Sequence, residues 1–172
     1  MRTTQYSLIA GLSALALCAA GAEWHVSASH PAADDGNPGT LERPLRTAAA
    51  GVEKARAGDT ILLGDGDYSA LRIGGAFTPP LTLAAAPNAK PRLLGALDLS
   101  GASGIRVRGV AFSWPAEASV GNMTPFIQLA GARDIEISDC AISDRQDRTE
   151  WRGLDANVSR ASDIVMRNLT IR

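Results

Sequence analysis

A segment of about thirty residues recurs in the second half of the chain and limits the folds that it can adopt. Three stretches align without gaps: "GASGIRVRGVAFS" (101–113), "GARDIEISDCAIS" (131–143) and "RASDIVMRNLTIR" (160–172). Apolar residues fill the same columns of this alignment, namely Ile105/Ile135/Ile164, Val107/Ile137/Met166, Val110/Cys140/Leu169 and Phe112/Ile142/Ile171. Such alternation is typical of β-strands with one buried side. The repeat therefore predicts an all-β solenoid in which each copy forms one coil and successive coils pair in parallel.

One polar column interrupts the alternation in every copy, at Gly109, Asp139 and Asn168. These are the residue types that accept a left-handed backbone at low cost. We therefore expect this column to be a corner, with a short strand on each side of it. Loosely alternating strands of a sandwich are the alternative, and the matched columns make it less favoured.

Strands also precede the repeat. Residues 59–68, 70–75, 80–86 and 91–101 alternate less regularly and are predicted to form the first one or two coils. The end of a solenoid needs a cover, and residues 46–59 are predicted to supply it as a helix. Thr47 is the expected N-cap and Gly58 the expected stop. The apolar face at helical spacing consists of Ala48, Val52 and Ala55.

The first 22 residues are predicted to be a secretory signal peptide. Arg2 is followed by an apolar stretch from Leu8 to Ala19 and by the small residues Ala20-Gly21-Ala22. We expect cleavage before Glu23, a mature domain over residues 23–172, and a secreted or periplasmic protein with no membrane contact after cleavage. A membrane anchor is less favoured because the apolar run is short. Lipidation at Cys18 is disfavoured by the large Leu17 before it.

Charge and cysteine content narrow the class of protein. The formal net charge of the whole chain is −1, so no basic footprint for nucleic acid is present. Beyond the predicted leader Cys140 is the only cysteine, and an intrachain disulfide is therefore excluded there. Because Cys140 falls in an apolar column, it is predicted to be a small core residue.

The stretch "WHVSASHPAADDGNPGTLERPLRTAAAGVEKARAGDTILLGDGDY" (24–68) resembles the opening of secreted right-handed parallel β-helix proteins of the pectate-lyase superfamily. The matching positions are Asp35, Asn37, Pro38, Gly39, Thr40, Pro44, Thr47, Gly58, Asp59, Thr60, Ile61, Gly66 and Tyr68. Ala48 and Asp67 depart from the usual pattern. The resemblance implies a right-handed parallel β-helix with a short N-terminal capping helix. It does not specify an activity, because enzymes and non-catalytic proteins share this fold.

Members of this superfamily usually have more coils than this sequence provides. We therefore expect the chain to be the N-terminal portion of a longer protein that is truncated at its C-terminal side and is monomeric at full length. In these enzymes the catalytic base and most calcium ligands usually lie in the middle coils, which we expect beyond residue 172, so the catalytic residues are unknown.

The resemblance implies an acidic polysaccharide as partner and chemistry at C5 of a uronic acid. The leading hypothesis is a polysaccharide lyase that cleaves an alginate- or pectate-type polymer by β-elimination. A mannuronan-type C5-epimerase and a non-catalytic glycan-binding or adhesin β-helix are the alternatives. Elimination requires the uronate charge to be neutralised, by Ca²⁺ or by arginine and asparagine donors.

The insert "SDRQDRTEWRGLDAN" (143–157) is the predicted substrate loop, because it interrupts the regular repeat. Arginine can pair with uronate carboxylates and tryptophan can stack on a sugar. The candidate substrate-binding residues are Arg145, Arg148, Trp151 and Arg152, together with Trp114 from the preceding insert "WPAEASVGNMTPF" (114–126). The candidate Ca²⁺ ligands are Asp144, Asp147, Glu150 and Asp155. A solvated surface loop, with Trp114 packed beneath it, is the competing interpretation.

Overall fold

The computed structural model describes residues 21–115, 125–143 and 156–171. Most of the predicted signal peptide, residues 1–20, lies outside them. The elements are β1 (Glu23–Val26), α1 (Ala48–Lys54), β2 (Thr60–Leu63), β3 (Gly66–Arg72), β4 (Ala76–Ala85), β5 (Pro91–Asp98), β6 (Ser103–Arg108), β7 (Ala111–Ser113), β8 (Ile127–Gln128), β9 (Arg133–Ser138), β10 (Ala141–Ile142), β11 (Ala156–Asn157), β12 (Ser162–Arg167) and β13 (Thr170–Ile171).

The described strands form two parallel sheets, consistent with a β-solenoid-like fold. Sheet A has the order β1-β2-β4-β6-β9-β12. Sheet B is built around the long strand β5, which pairs with β3 on one side. On its other side the first half of β5 pairs with β7 and the second half with β8. Strands β10 and β13 continue the pairing of β7 from coil to coil. Strand β11 continues the pairing of β8 in the same way.

The register confirms the alignment of the three repeats. Ile105 pairs with Ile135, which pairs with Ile164 in the next coil. Phe112, Ile142 and Ile171 are partners in the same way. Phe112 is fully buried, as are Ile105 and Val107, so these columns form part of the hydrophobic core. Burial decreases in the last described layer, where Ile171 is 41% exposed.

The predicted corner is confirmed by the backbone. Gly109, Asp139 and Asn168 have φ values of 70°, 56° and 53°, all in the left-handed region. The corner column is also linked between coils, because Asn168 Nδ2 donates a hydrogen bond to Asp139 Oδ1 at 2.9 Å. This side-chain hydrogen bond supplements the backbone hydrogen bonds between the two coils.

The predicted helix forms, but it is shorter, and its buried residues match the predicted face only in part. Thr47 is its N-cap, and the Oγ1 of Thr47 accepts the N–H of Ala50 at 3.2 Å. The helix ends at Lys54 rather than continuing to Gly58, because the Asp59 carboxylate takes the N–H of Arg56 at 2.8 Å. The buried helix residues are Ala48, Ala50 and Gly51, whereas Val52 and Ala55 of the predicted face are half-buried.

The helix lies close over the first strands. A Cβ at Gly51 would be 3.0 Å from Ile61 Cγ2 and 3.1 Å from Val26 Cγ2. A glycine here lets the helix approach β1 and β2 at backbone distance. This contact explains why Gly51 is buried although it lies outside the predicted face.

The residues that carry the family resemblance organise this N-terminal cap. Asp35 accepts hydrogen bonds from the backbone N–H of Arg46 and Thr47 and from Thr47 Oγ1. Asn37 is buried, and its Nδ2 donates to the carbonyl oxygens of Ala32 and Pro44. These are structural roles, as expected for a motif that specifies the fold rather than an activity.

Candidate functional site

The two inserts of the sequence attach at stacked positions. β7 and β10, which precede them, pair through Ala111↔Ala141 and Phe112↔Ile142. β8 and β11, which follow them, pair through Ile127↔Ala156 and Gln128↔Asn157. The two ends of one insert therefore lie next to the corresponding ends of the other. We call this place the insert corner.

The predicted loop side chains lie outside the described residues. These are the substrate-binding candidates Arg145, Arg148, Trp151 and Arg152 and the metal candidates Asp144, Asp147, Glu150 and Asp155. Their roles stay predictions. Within residues 21–115, 125–143 and 156–171, no group of three or more His, Cys, Asp or Glu side chains is arranged to hold a metal ion.

Trp114 closes the base of the first insert together with Phe126. The two rings have centroids 5.2 Å apart and planes inclined by 35°. Phe126 is 5% exposed and Trp114 is half-buried. The pair joins the start of the insert to its end, which fixes the points from which the intervening residues emerge. A role of Trp114 in substrate binding stays a prediction.

A column of polar side chains runs beside the insert corner and was not found from the sequence. Arg72 pairs with Asp98 in β3–β5, and Asp98 pairs with Gln128 in β5–β8. Their preceding neighbours Leu71 and Leu97 are buried, so the polar side chains point outward. In the sequence this column corresponds to a repeated apolar-polar-apolar triplet: Leu71-Arg72-Ile73, Leu97-Asp98-Leu99 and Ile127-Gln128-Leu129. Asn157 of β11 continues the register.

The Arg72–Asp98 pair gives the column its electrostatic character. Arg72 Nε lies 3.8 Å from Asp98 Oδ2, and the Arg72 side chain is 74% exposed. Burial alone would raise the pKa of Asp98, but the hydrogen bonds from Ser100 and the charge of Arg72 lower it below the ordinary value. Asp98 is therefore ionised at neutral pH. An exposed guanidinium and a carboxylate next to an amide can bind sugar hydroxyls and a uronate group.

A second charged surface lies on the outer side of sheet A. Arg106, Arg108 and Arg167 surround Glu136, with Arg106 Nε at 3.7 Å and Arg108 Nη2 at 3.9 Å from its carboxylate oxygens. Arg167 donates to Glu136 Oε1, and this hydrogen bond is the main reason that the pKa of Glu136 is lowered. All three arginines converge on one carboxylate, and their side chains are 20%, 51% and 51% exposed, against 74% for Arg72. This surface is therefore better suited to linking coils than to binding a ligand.

Cys140 is not a nucleophile in this structure. Its thiol is buried and donates to the carbonyl oxygen of Ser138 at 3.2 Å. Burial raises the pKa of Cys140, so the reactive thiolate is disfavoured. The prediction of a small core residue is confirmed.

Comparison with known proteins identifies the fold and no family. No protein-family model matches the chain, and no curated protein matches it. Among solved structures, the chain is similar to a GH136 lacto-N-biosidase from Eubacterium ramulus, with a TM-score of 0.64 and 14% identity over 87% of this chain. It is also similar to a rhamnogalacturonan lyase, with a TM-score of 0.54 and 13% identity over 88% of this chain.

The chain spans 34% of the lacto-N-biosidase structure and 51% of the lyase structure. At these identities the likeness is one of backbone fold. Both neighbours have β-helix-type folds, which agrees with the parallel sheets described above. No helix in the described part of the chain is long and apolar enough to span a membrane.

Proposed function

We propose that the chain belongs to an exported, carbohydrate-active right-handed parallel β-helix that binds an acidic polysaccharide at the insert corner. The observation that carries the proposal is the stacked attachment of two inserts beside the outward column of Arg72, Asp98 and Gln128. Both structural neighbours are named as carbohydrate-cleaving enzymes, which supports the substrate class.

The reaction that we propose is β-elimination on a uronic-acid polymer of the alginate or pectate type. The C5 proton of a uronate is weakly acidic, so its carboxylate must be neutralised before a base can remove the proton. Arg145, Arg148 and Arg152 of the second insert have the right chemistry for that pairing, and Trp151 for stacking on the sugar. The polar column of Arg72, Asp98 and Gln128 would hold the neighbouring sugar units. The catalytic base is not assigned.

Calcium is the metal that this chemistry would use. The carboxylates of Asp144, Asp147, Glu150 and Asp155 are hard oxygen donors of the kind that Ca²⁺ prefers. When bound, the ion would neutralise the uronate charge. These insert residues are the donors to test, since none of the described residues form a group of three or more His, Cys, Asp or Glu side chains that could hold a metal ion.

The decisive test measures binding and turnover by the full-length gene product, of which this chain is expected to be the N-terminal portion. Alginate, pectate and glycosaminoglycans are offered with and without a calcium chelator, and new unsaturated uronates are followed by their ultraviolet absorbance. A signal on one polymer supports the lyase, and its loss with chelator supports calcium. Absence of both binding and turnover on every polymer contradicts the proposal.

Matched arginine variants locate the site. Arg72→Ala removes an exposed guanidinium at the insert corner, whereas Arg92→Ala removes one that pairs with Asp67 in the same two strands but at the other end of β5. We expect retardation in polysaccharide-containing gels to weaken for Arg72→Ala and not for Arg92→Ala. Equal effects of both substitutions would mean that binding follows net charge and not the insert corner.

Two outcomes would redirect the assignment within the same fold. Exchange of the C5 proton with solvent, detected by NMR without chain cleavage, would indicate a C5-epimerase. Retained binding with neither exchange nor cleavage would indicate a glycan-binding or adhesin module.

A further inference from the structure

Gly21 and Ala22, which precede β1, are already part of the folded cap. The N–H of Ala22 donates to Asp59 Oδ1 at 2.8 Å. The carbonyl oxygen of Ala22 accepts the N–H of Thr60 at 2.8 Å. Glu23 then pairs with Thr60 at the start of the β1–β2 ladder. The pairing of the first coil therefore begins at Ala22 and not at Glu23.

Gly21 lies against the backbone of the turn before β2. A Cβ at Gly21 would lie 1.8 Å from the carbonyl oxygen of Gly58 and 2.7 Å from the nitrogen of Asp59. Such separations are far inside van der Waals contact, so only glycine fits. A position that requires one residue type for packing belongs to the domain.

The Asp59 carboxylate depends on this short stretch. It is 7% exposed and accepts hydrogen bonds from Ala22 N–H, from Arg56 N–H at 2.8 Å and from Trp24 Nε1 at 3.0 Å. Loss of Ala22 would leave a buried carboxylate with one donor fewer, which is costly. A chain that begins at Gly21 keeps this donor. The α-amino group of such a chain is charged and lies on the residue next to Ala22. The negative charge of Asp59 attracts it.

Three neighbouring bonds have small residues at both positions that a leader peptidase requires. Cleavage after Ala22 uses Ala20 and Ala22, cleavage after Gly21 uses Ala19 and Gly21, and cleavage after Ala20 uses Cys18 and Ala20. The sequence alone favoured the first. We infer that export is followed by hydrolysis of the Ala20–Gly21 peptide bond. Water adds across this bond, Ala20 leaves with the carboxylate, and Gly21 becomes the α-ammonium terminus of the mature protein. This inference rests on the export in the proposed function.

The test is the N-terminus of the exported protein. The full chain is produced in an exporting bacterial host, and the mature form is analysed by intact mass and N-terminal sequencing. A terminus at Gly21 supports the inference. A terminus at Ala22 or at Glu23, or a lipidated Cys18, overturns it while leaving export intact. An unprocessed chain overturns it together with export.

A matched pair of leader variants checks the peptidase register. Cys18→Leu places a large residue in the site before Gly21, and Ala22→Leu places one in the site before Glu23; both retain the apolar character of the leader. We expect Ala22→Leu to be processed at Gly21 as in the parent. Cys18→Leu should accumulate precursor or shift its terminus to Glu23. The reverse pattern would overturn the inference.

Discussion

At the scale of single residues, each coil contains left-handed positions besides the corner. Gly101, Gly131 and Arg160 form one such column, with φ values of 72°, 70° and 55°. Gly104, Asp134 and Asp163 form another, with φ values of 69°, 50° and 56°. Because the second column accepts aspartate twice, its backbone angle alone does not require glycine.

Gly104 is the exception for a steric reason, which gives a first prediction. A Cβ at Gly104 would lie 2.0 Å from the carbonyl oxygen of Phe77, in the irregular part of the β4–β6 pairing. Gly104→Ala should therefore cost the left-handed strain of about 1–2 kcal/mol and an overpacking penalty of about 1–3 kcal/mol in addition. Gly101→Ala is the control, because its φ is similar and no atom lies within 4 Å of the added Cβ. Denaturant unfolding that shows equal losses for both would contradict the steric argument.

Arg160 leads to a prediction of the opposite sign. It holds a left-handed backbone in a column where the preceding coils have glycine, and it is exposed. Arg160→Gly relieves about 1–2 kcal/mol of strain and loses about 0.5–1 kcal/mol to the greater freedom of glycine in the unfolded chain. We expect a small net increase in the unfolding free energy. Arg160→Ala keeps the strain, so an equal gain in that variant would assign the effect to loss of the charge instead.

The corner column was predicted from the sequence and the other left-handed columns were not. The corner interrupts an apolar alternation, and its residue types are Gly, Asp and Asn, so it is visible in one repeat. The other two columns lie at the start of the repeat, outside the alternation. Arg160 also conceals the first of them, because arginine carries no turn signal of its own. The alignment already places Gly101 over Gly131 and Gly104 over Asp134, and these residue types are the signal of a left-handed backbone in both columns.

At the scale of elements, the cap depends on one buried amide. Asn37 Nδ2 donates to Ala32 O at 2.7 Å and to Pro44 O at 3.0 Å, which joins the two ends of the loop before α1. Asn37 Oδ1 accepts from Arg43 Nη2 at 3.1 Å. The same loop carries Asp35, which binds the residues that start the helix. The position of the helix therefore follows from the closure of this loop.

A pair of substitutions at Asn37 distinguishes its donor from its acceptor. Asn37→Ala removes both Nδ2 bonds and should cost about 1–3 kcal/mol of stability. Asn37→Asp keeps the acceptor for Arg43 but faces two carbonyl oxygens with a carboxylate, so we expect a larger loss at neutral pH. Thermal unfolding of the two variants would decide. If Asn37→Asp is the more stable, the contact with Arg43 outweighs the loop closure.

The candidate site was predicted in part for a comparable reason. The repeat determines where strands stack, and so it located both inserts between equivalent strands. The column of Arg72, Asp98 and Gln128 was not predicted, because Arg72 and Asp98 lie before the regular copies and Gln128 lies between two of them. The side chains within an insert are different, because no repeat partner constrains them. Their residue types indicate a chemistry, and their positions do not follow from the pattern.

At the scale of the whole molecule, both the cap and the coils contain carboxylates that the fold holds in hydrogen bonds. The pKa values of Asp35, Asp59 and Asp98 are lowered from an ordinary value of 3.8. In each case burial acts to raise the pKa, and hydrogen bonds and nearby arginines more than offset it. For Asp59 the donors are Trp24 Nε1 and the N–H groups of Arg56 and Ala22. Folding and ionisation of these groups are therefore coupled.

Acid should destabilise the fold with a sign that follows from this coupling. The folded chain keeps Asp59 ionised to a lower pH than the unfolded chain does, so on acidification the unfolded chain takes up protons first. The stabilisation is complete above the ordinary pKa of 3.8 and is lost as the pH falls below it, through the folded pKa. Thermal midpoints measured by circular dichroism should be level at neutral pH and should decline below about pH 4.

Asp59→Asn separates this residue from the other carboxylates. At neutral pH the variant should be less stable by about 1–3 kcal/mol, because an amide group presents N–H donors to the donors that the carboxylate accepts. In acid, protonation removes the same advantage from the parent chain, so the two midpoints should converge as the pH falls. The Asp67–Arg92 pair supplies a control, because Asp67 also has a lowered pKa but lies at the surface. Asp67→Asn should change the neutral midpoint by less than Asp59→Asn. A gap between parent and Asp59→Asn that stays constant from neutral to acidic pH would show that the ionised carboxylate does not hold the cap.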